Sequence, residues 1–74
     1  MAGLPVVSGA EAVRRFEHAG WFVLRTRGSH VILAHPAVRA RLSVPQHREL
    51  DRGLLRALIR AAGMTVEEFA GLGR

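Results

Sequence analysis

The sequence predicts an α+β fold with its elements in the order α-β-β-β-α. Apolar residues recur at helical spacing near both ends of the 74-residue chain, at about residues 9–19 and 52–62. Three short segments rich in β-branched and aromatic residues lie between them, separated by glycine and proline. Because neither a sheet nor a helix buries its apolar face alone, we expect both helices to cover one face of a three-stranded antiparallel sheet. This length predicts a single domain over residues 1–74.

The first predicted helix begins after Ser8 and ends near Ala19. Ser8 and Glu11 have the spacing of a capping box, in which each side chain accepts a hydrogen bond from the other residue's backbone N–H. Gly20 is well suited to the position just after the last helical turn. We expect residues 1–7, which precede this helix, to form a loose lead-in.

Three strands are predicted in the middle of the chain. Trp21–Thr26 and His30–His35 flank the turn Arg27–Ser29, which predicts an antiparallel hairpin, and Pro36 ends the second strand. Arg41–Val44 is the third strand, and its polar and apolar residues alternate between opposite faces. In the first two strands both faces carry apolar residues, so the pattern does not assign their inward face.

The second predicted helix spans Arg52–Ala62, after a loop over Gln46–Asp51. One side is strongly apolar, and the other carries an arginine at every fourth position, namely Arg52, Arg56 and Arg60. Such a stripe is either a solvated helix face or a surface that follows a phosphate backbone. Thr65 and Glu68 have the spacing of a second capping box, which predicts a short C-terminal helical turn.

Charge is distributed unevenly along the chain. The segment His18–Arg48 has no acidic residue, yet it holds all four histidines and five of the eleven arginines, and the formal net charge is +5. Such a surface favours an anionic partner, although charge alone does not distinguish RNA, DNA, an acidic protein and an anionic membrane. The carboxylates are dispersed, which argues against a two-metal nuclease, and we expect no metal and no small-molecule cofactor.

The absence of cysteine excludes disulfides, thiolate catalysis and cysteine-based zinc sites. It is compatible with a reducing cytoplasm, where we expect the protein to reside. A zinc site built on histidine is not favoured, because His30 and His35 lie on opposite faces of one strand and no carboxylate or cysteine accompanies them. We expect neither a signal peptide nor a membrane span, since no apolar run is long enough.

The candidate site is the segment Arg25–His30. Taken alone, a histidine after a turn is more often a surface or capping residue than a catalytic one. In this cationic setting, however, His30 can act as the general base of RNA cleavage, because RNA supplies its own nucleophile in the 2′-hydroxyl. Cations would stabilise the phosphorane. The predicted RNA-binding residues are Arg25, Arg27, Gly28, Ser29 and Arg41. His47 is either a second acid–base group or a loop histidine, and we favour the latter.

Four motifs follow one another in the order and spacing of a known family. They are Gly20–Trp21 after a short helix, the Arg-x-Arg-Gly-Ser-His segment Arg25–His30, the Val-Pro-x-His run within Val44–Leu50, and the stretch Arg52–Phe69. Together they cover about residues 6–72. On these motifs the chain resembles the HicA (YcfA-like) family of toxin mRNA interferases.

The resemblance implies a fold like that of double-stranded-RNA-binding domains. It also implies a ribosome-independent endoribonuclease that cleaves mRNA within a toxin–antitoxin pair, with His30 in the place of the catalytic histidine. It further implies a HicB-type antitoxin that binds the basic face and blocks this histidine. The chain departs from the family at Val31, where many members carry a second histidine, and at Leu54, where many carry threonine.

Two other functions fit the same charge and fold. One is a non-catalytic RNA-binding module. The other is a small interaction domain whose basic face binds only an acidic partner protein. His30 distinguishes the endoribonuclease from both alternatives, because neither of them needs an imidazole at that position.

Overall fold

The computed structural model describes residues 3–73. Its elements follow the predicted order, and the α+β class is confirmed. The strands form one antiparallel sheet, and both long helices pack against it. The elements are the helices α1 (Gly9–His18), α2 (Arg52–Ala61) and α3 (Val66–Gly71) and the strands β1 (Phe22–Arg27), β2 (His30–His35) and β3 (Val38–Pro45). The spatial order of the strands is β1-β2-β3, so β2 is central.

The strand pairing shows where sequence and structure differ. β2 has the predicted bounds, whereas β3 begins three residues before the predicted start at Arg41 and includes Pro45. The extension arises because Val38 pairs with His35 beyond a register shift that follows Leu33. Val38 to Arg41 do alternate between apolar and polar residues, so the strand pattern was already present in the sequence and the predicted start at Arg41 was too late.

The register assigns the inward face that the sequence left open. Leu33 of β2 pairs with Leu42 of β3, and both side chains are buried. Val31 pairs with Val44 on the same side, which faces the helices. Because successive side chains point to opposite faces, His30 and Ile32 lie on the other face, which no helix within residues 3–73 covers.

The buried core centres on Phe16 of α1. Its ring meets the ring of Trp21 at a centroid distance of 6.4 Å and that of Phe69 at 5.1 Å. Arg15 also links α1 to α3. Its guanidinium donates to the carbonyl oxygens of Phe69 and Ala70 and lies over the Phe69 ring. These contacts hold α1, α3 and the residue that precedes β1 together in one core.

The prediction that residues 1–7 form a loose lead-in is wrong for residues 3–7, which the structure describes. Leu4 and Val7 are buried in the core, and the carbonyl oxygen of Val7 accepts from the N–H of Leu50 at 2.9 Å. The two side chains complete a core that the helices and sheet leave open, and a segment this short has no periodicity to reveal it. Met1 and Ala2 lie outside the described residues.

The helix caps follow the sequence with one correction. Ser8 accepts from the N–H of Glu11, as predicted, but the Glu11 carboxylate accepts from Arg14 and Arg15 instead of completing the box. Hydrogen bonds from these two guanidinium groups lower the pKa of Glu11. The second capping box, between Thr65 and Glu68, is complete. In addition, Asp51 caps α2, although the sequence placed it in the preceding loop.

Gly9 allows the start of α1 to pack closely against the end of β3. Its N–H donates to the carbonyl oxygen of His47, and a Cβ at this position would clash with the carbonyl oxygen of Pro45. We expect Gly9→Ala to lower the free energy of unfolding by about 1–3 kcal/mol, the typical cost of overpacking. The gain in helix propensity, at most about 1 kcal/mol, opposes this cost. Chemical denaturation measures the difference.

Gly71→Ala is the matched control, because nothing lies within 4 Å of a Cβ at Gly71. It should be neutral or slightly stabilising. A Gly9→Ala protein as stable as the wild type would show that α1 does not approach the end of β3 this closely.

Candidate nucleic-acid interface

The predicted site lies on the outer face of the sheet, which is turned away from the helices. Residues paired across neighbouring strands form rows on this face. His30 pairs with Arg27 of β1 across the hairpin turn, and we call these two the His30 row. The next outward pairs join Arg25 of β1, Ile32 of β2 and Ser43 of β3, which form the Ile32 row. The structure therefore brings both predicted arginines of β1 into the neighbourhood of His30.

An open depression lies at the junction of these two rows. Arg27, His30, Ile32 and Ser43 line it. An imidazole, a guanidinium and a hydroxyl thus surround an apolar side chain on an exposed surface. This set can move a proton, bind an anion and contact the face of a sugar or base.

Sequence reasoning missed Ile32 and Ser43. Alternation along β3 did place Ser43 on the face opposite the core, and that was the available signal. Its position beside His30 depends on the register between β2 and β3, which the sequence did not specify.

The turn before His30 is fixed by its backbone conformation and by a hydrogen bond to the end of β3. Gly28 has a φ of 56°, and Ser29 has a negative φ, which is the pattern of a type II′ hairpin turn with glycine at its first central position. The carbonyl oxygen of Ser29 accepts from the N–H of Gln46 at 2.7 Å, which ties the turn to the end of β3. His30 therefore projects from a fixed backbone while its side chain stays exposed.

Arg41 lies on the outer face but far from His30. It is four residues along β3 from Pro45, the partner of His30, which corresponds to about 13 Å at the rise of a β-strand. Its position does not support a role at the phosphate next to His30. It shares the exposed outer face with Arg25 and Arg27.

The other histidines lie outside the depression. The His35 ring packs edge-on against Trp21 at 5.3 Å, and its Nδ1 accepts from the N–H of Ala37. His35 is thus a structural residue on the other side of β2 from His30, as the alternation predicted. His18 is exposed at the end of α1, and His47 is exposed in the loop after β3.

The outer face carries positive charge without carboxylates. None of the three strands contains an Asp or Glu. Within residues 3–73, the ion pairs join Glu11 to Arg14 and Arg15 on α1, away from the sheet. The same residues contain no cluster of three His, Asp or Glu side chains that could hold a metal ion.

One family model matches most of the chain. Residues 9–64 match the family model for the HicA toxin of bacterial toxin–antitoxin systems. The chain belongs to the HicA toxin family. It is the toxin of a toxin–antitoxin system, and the family implies an antitoxin partner. The α-β-β-β-α order is consistent with the expected double-stranded-RNA-binding-domain-like fold.

Two further findings complete the comparison. A comparison with curated proteins gives no significant match. No helix within residues 3–73 has the length and apolar character needed to cross a membrane.

The two departures from the HicA pattern lie away from the outer face. Val31 pairs with Val44 and packs against the core on the helix side of β2. Leu54 is half-buried in α2 and also contacts the core. Neither substitution changes the side chains that surround His30.

Proposed function

We propose that this HicA toxin is a metal-independent endoribonuclease that cleaves mRNA with His30 as its catalytic histidine. The observation that carries the proposal is the position of His30 beside Arg27 in one open depression on a sheet face without carboxylates. Membership of a family of toxins that are generally mRNA interferases supports it. The same imidazole would be unnecessary in a domain that only binds RNA or an acidic protein.

The chemistry follows from the groups that this face presents. The His30 imidazole takes the proton of a 2′-hydroxyl, whose oxygen then attacks the adjacent phosphorus. As the new O–P bond forms, the bond from phosphorus to the 5′-oxygen breaks. The leaving oxygen takes up a proton from water, and the protonated His30 then returns its own proton to the solvent. Arg27 and Arg25 stabilise the negative charge of the phosphorane. The products are a 2′,3′-cyclic phosphate and a 5′-hydroxyl.

Metal independence is supported by the ligands that the chain offers. A two-metal site needs several carboxylates converging on one point, and no such cluster exists within residues 3–73. In its place, the outer face provides guanidinium groups, which supply positive charge through fixed hydrogen-bond donors.

The proposed inhibitor is a HicB-type antitoxin that covers this basic face. Arg25 and Arg27 have no carboxylate partner among residues 3–73, so an acidic segment of the antitoxin could pair with them directly. Such a contact would also close access to His30. Antitoxin and RNA would then compete for one surface.

His30→Ala should reduce RNA cleavage by about 10²- to 10⁴-fold, the usual cost of losing a general acid–base group. The protein should fold, because the His30 side chain is exposed. Cleavage of a labelled oligoribonucleotide by purified protein measures the rate, and expression without an antitoxin tests growth arrest. His18→Ala is the matched control, because His18 is an exposed histidine on α1.

An unchanged cleavage rate in folded His30→Ala would exclude a histidine-dependent mechanism at this position. RNA binding by the wild type without any cleavage would favour the non-catalytic RNA-binding module instead.

RNA cleavage should be insensitive to EDTA. Since residues 3–73 offer no cluster of metal ligands, chelation has no resident ion to remove. The cleavage rate with and without EDTA tests this directly. Loss of activity in EDTA with recovery on addition of Mg²⁺ or Zn²⁺ would contradict the metal-free mechanism.

RNA affinity should depend steeply on salt through the arginines of the outer face. In the His30→Ala background, Arg25→Gln and Arg27→Gln should each weaken binding and reduce the slope of log affinity against log salt by about 0.7 per lost phosphate contact. Titrations at several salt concentrations give both quantities.

The controls neutralise the arginines of α2, which lies on the opposite side of the sheet, in the variants Arg52→Gln, Arg56→Gln and Arg60→Gln. These changes should leave the slope nearly unaltered. Equal losses from both sets would point to a diffuse basic surface and would remove the support for a site around His30.

A further inference from the structure

The outer face has a third row, beyond the Ile32 row, that contains an exposed aromatic ring. Phe22 of β1 pairs with Ala34 of β2, and its side chain is 47% exposed. It follows the buried Trp21, so alternation places it on the outer face. Arg41 directly precedes Leu42, the buried partner of Leu33, so alternation along β3 also places Arg41 on the outer face, at the point where the β2–β3 register shifts. We call these three outward residues the Phe22 row.

Phe22 has no role in the core. The buried aromatic contacts use Phe16, Trp21 and Phe69, and Phe22 is neither in the core nor among the residues packed against it. Its neighbour in the row is an alanine, which is too small to cover a phenyl ring. A flat apolar surface is thus left open between cationic residues.

We propose that Phe22, together with Arg41, forms a stacking subsite for an unpaired base of single-stranded RNA. The inference rests on the proposed function and specifies its substrate class. An aromatic ring stacks on the face of any base, and Arg41, which lies two strands away on the same face, can bind a phosphate of the same RNA strand. Bases within a duplex are already stacked on one another, so only an unpaired strand can offer a base to Phe22.

The rows form a continuous track for such a strand. Each row carries one arginine, in the order Arg27, Arg25 and Arg41 from the His30 row to the Phe22 row. The end rows are about 13 Å apart along the strands. The base on Phe22 is therefore one that flanks the cleaved bond, and the subsite would bias where the strand is cut.

The positive charge of this face favours RNA over a second copy of this chain as the molecule that binds to it. Two copies meeting through this face would bring their arginines together without any carboxylate from the strands to neutralise them. A ribose–phosphate backbone neutralises the arginines and brings bases to the ring at the same time. An acidic antitoxin segment also carries negative charge, and the experiment below separates it from RNA.

The test compares two probes of the same length and charge in the His30→Ala background. One is a single-stranded oligoribonucleotide of mixed sequence, and the other is its abasic counterpart, which keeps the sugars and phosphates but has no bases. Phe22→Ala should weaken binding of the oligoribonucleotide by about 5- to 150-fold, the range for one lost base–aromatic stack. The abasic probe should bind with almost unchanged affinity.

Val23→Ala is the matched control. Val23 is 44% exposed, nearly as much as Phe22, but it pairs with the buried Leu33 and so lies on the opposite face. It should change the affinity for neither probe. Phe22→Tyr should retain binding, whereas Phe22→Leu, which keeps an apolar side chain without a ring, should behave like Phe22→Ala.

The proposal is overturned if Phe22→Ala leaves the affinity for the oligoribonucleotide unchanged. It is also overturned if Phe22→Ala lowers the affinity for both probes equally. A loss of antitoxin binding with RNA affinity intact would also overturn it and would assign this row to the protein partner. Because binding is read without cleavage, failure of the catalytic role of His30 would leave the base-dependent effect of Phe22 measurable. Conversely, loss of the Phe22 effect would leave the His30 cleavage test standing.

Discussion

The pairing of Leu33 with Leu42 on the helix side of the sheet is the constraint on which the rest of the structure depends. Side chains of a strand alternate with a period of two, so a slip of one residue would turn every one of them to the other face. Such a slip would bring His30 and Ile32 under the helices and expose the buried leucines. Burial of this pair therefore fixes, at the same time, which residues lie on the exposed outer face.

The helices cover only one face of the sheet, so the residues that stabilise the core and the residues of the candidate site lie on opposite faces. The helices, the lead-in and the C-terminal turn all contribute to one core around Phe16. A chain of this size buries only a modest core, which explains why Leu4 and Val7 also take part in it. The outer face contributes little to that core and is free to carry cations, a histidine and an exposed aromatic ring.

Under the proposed function, the outer face serves the toxin in two states, one bound to RNA and one bound to the antitoxin. Its arginines lack carboxylate partners within residues 3–73, so their charge is available to an incoming anion. RNA offers phosphates at regular intervals, and an antitoxin offers carboxylates. Under the proposed function, inhibition and substrate binding use the same electrostatic feature, whereas the chemistry of cleavage requires the His30 imidazole.

The sequence by itself determined the order and type of the elements, the hairpin before His30, the second capping box and the absence of carboxylates from the strands. These properties depend on local periodicity, turn chemistry and composition, which neighbouring residues specify. Only the tertiary structure decided that Ser43 and Ile32 border His30, that Arg41 lies about 13 Å away, and that Phe22 faces outward. β1 and β2 carry apolar residues on both faces, so no local pattern selects one of them. The choice is made by pairing with a strand distant in the chain and by burial against the helices.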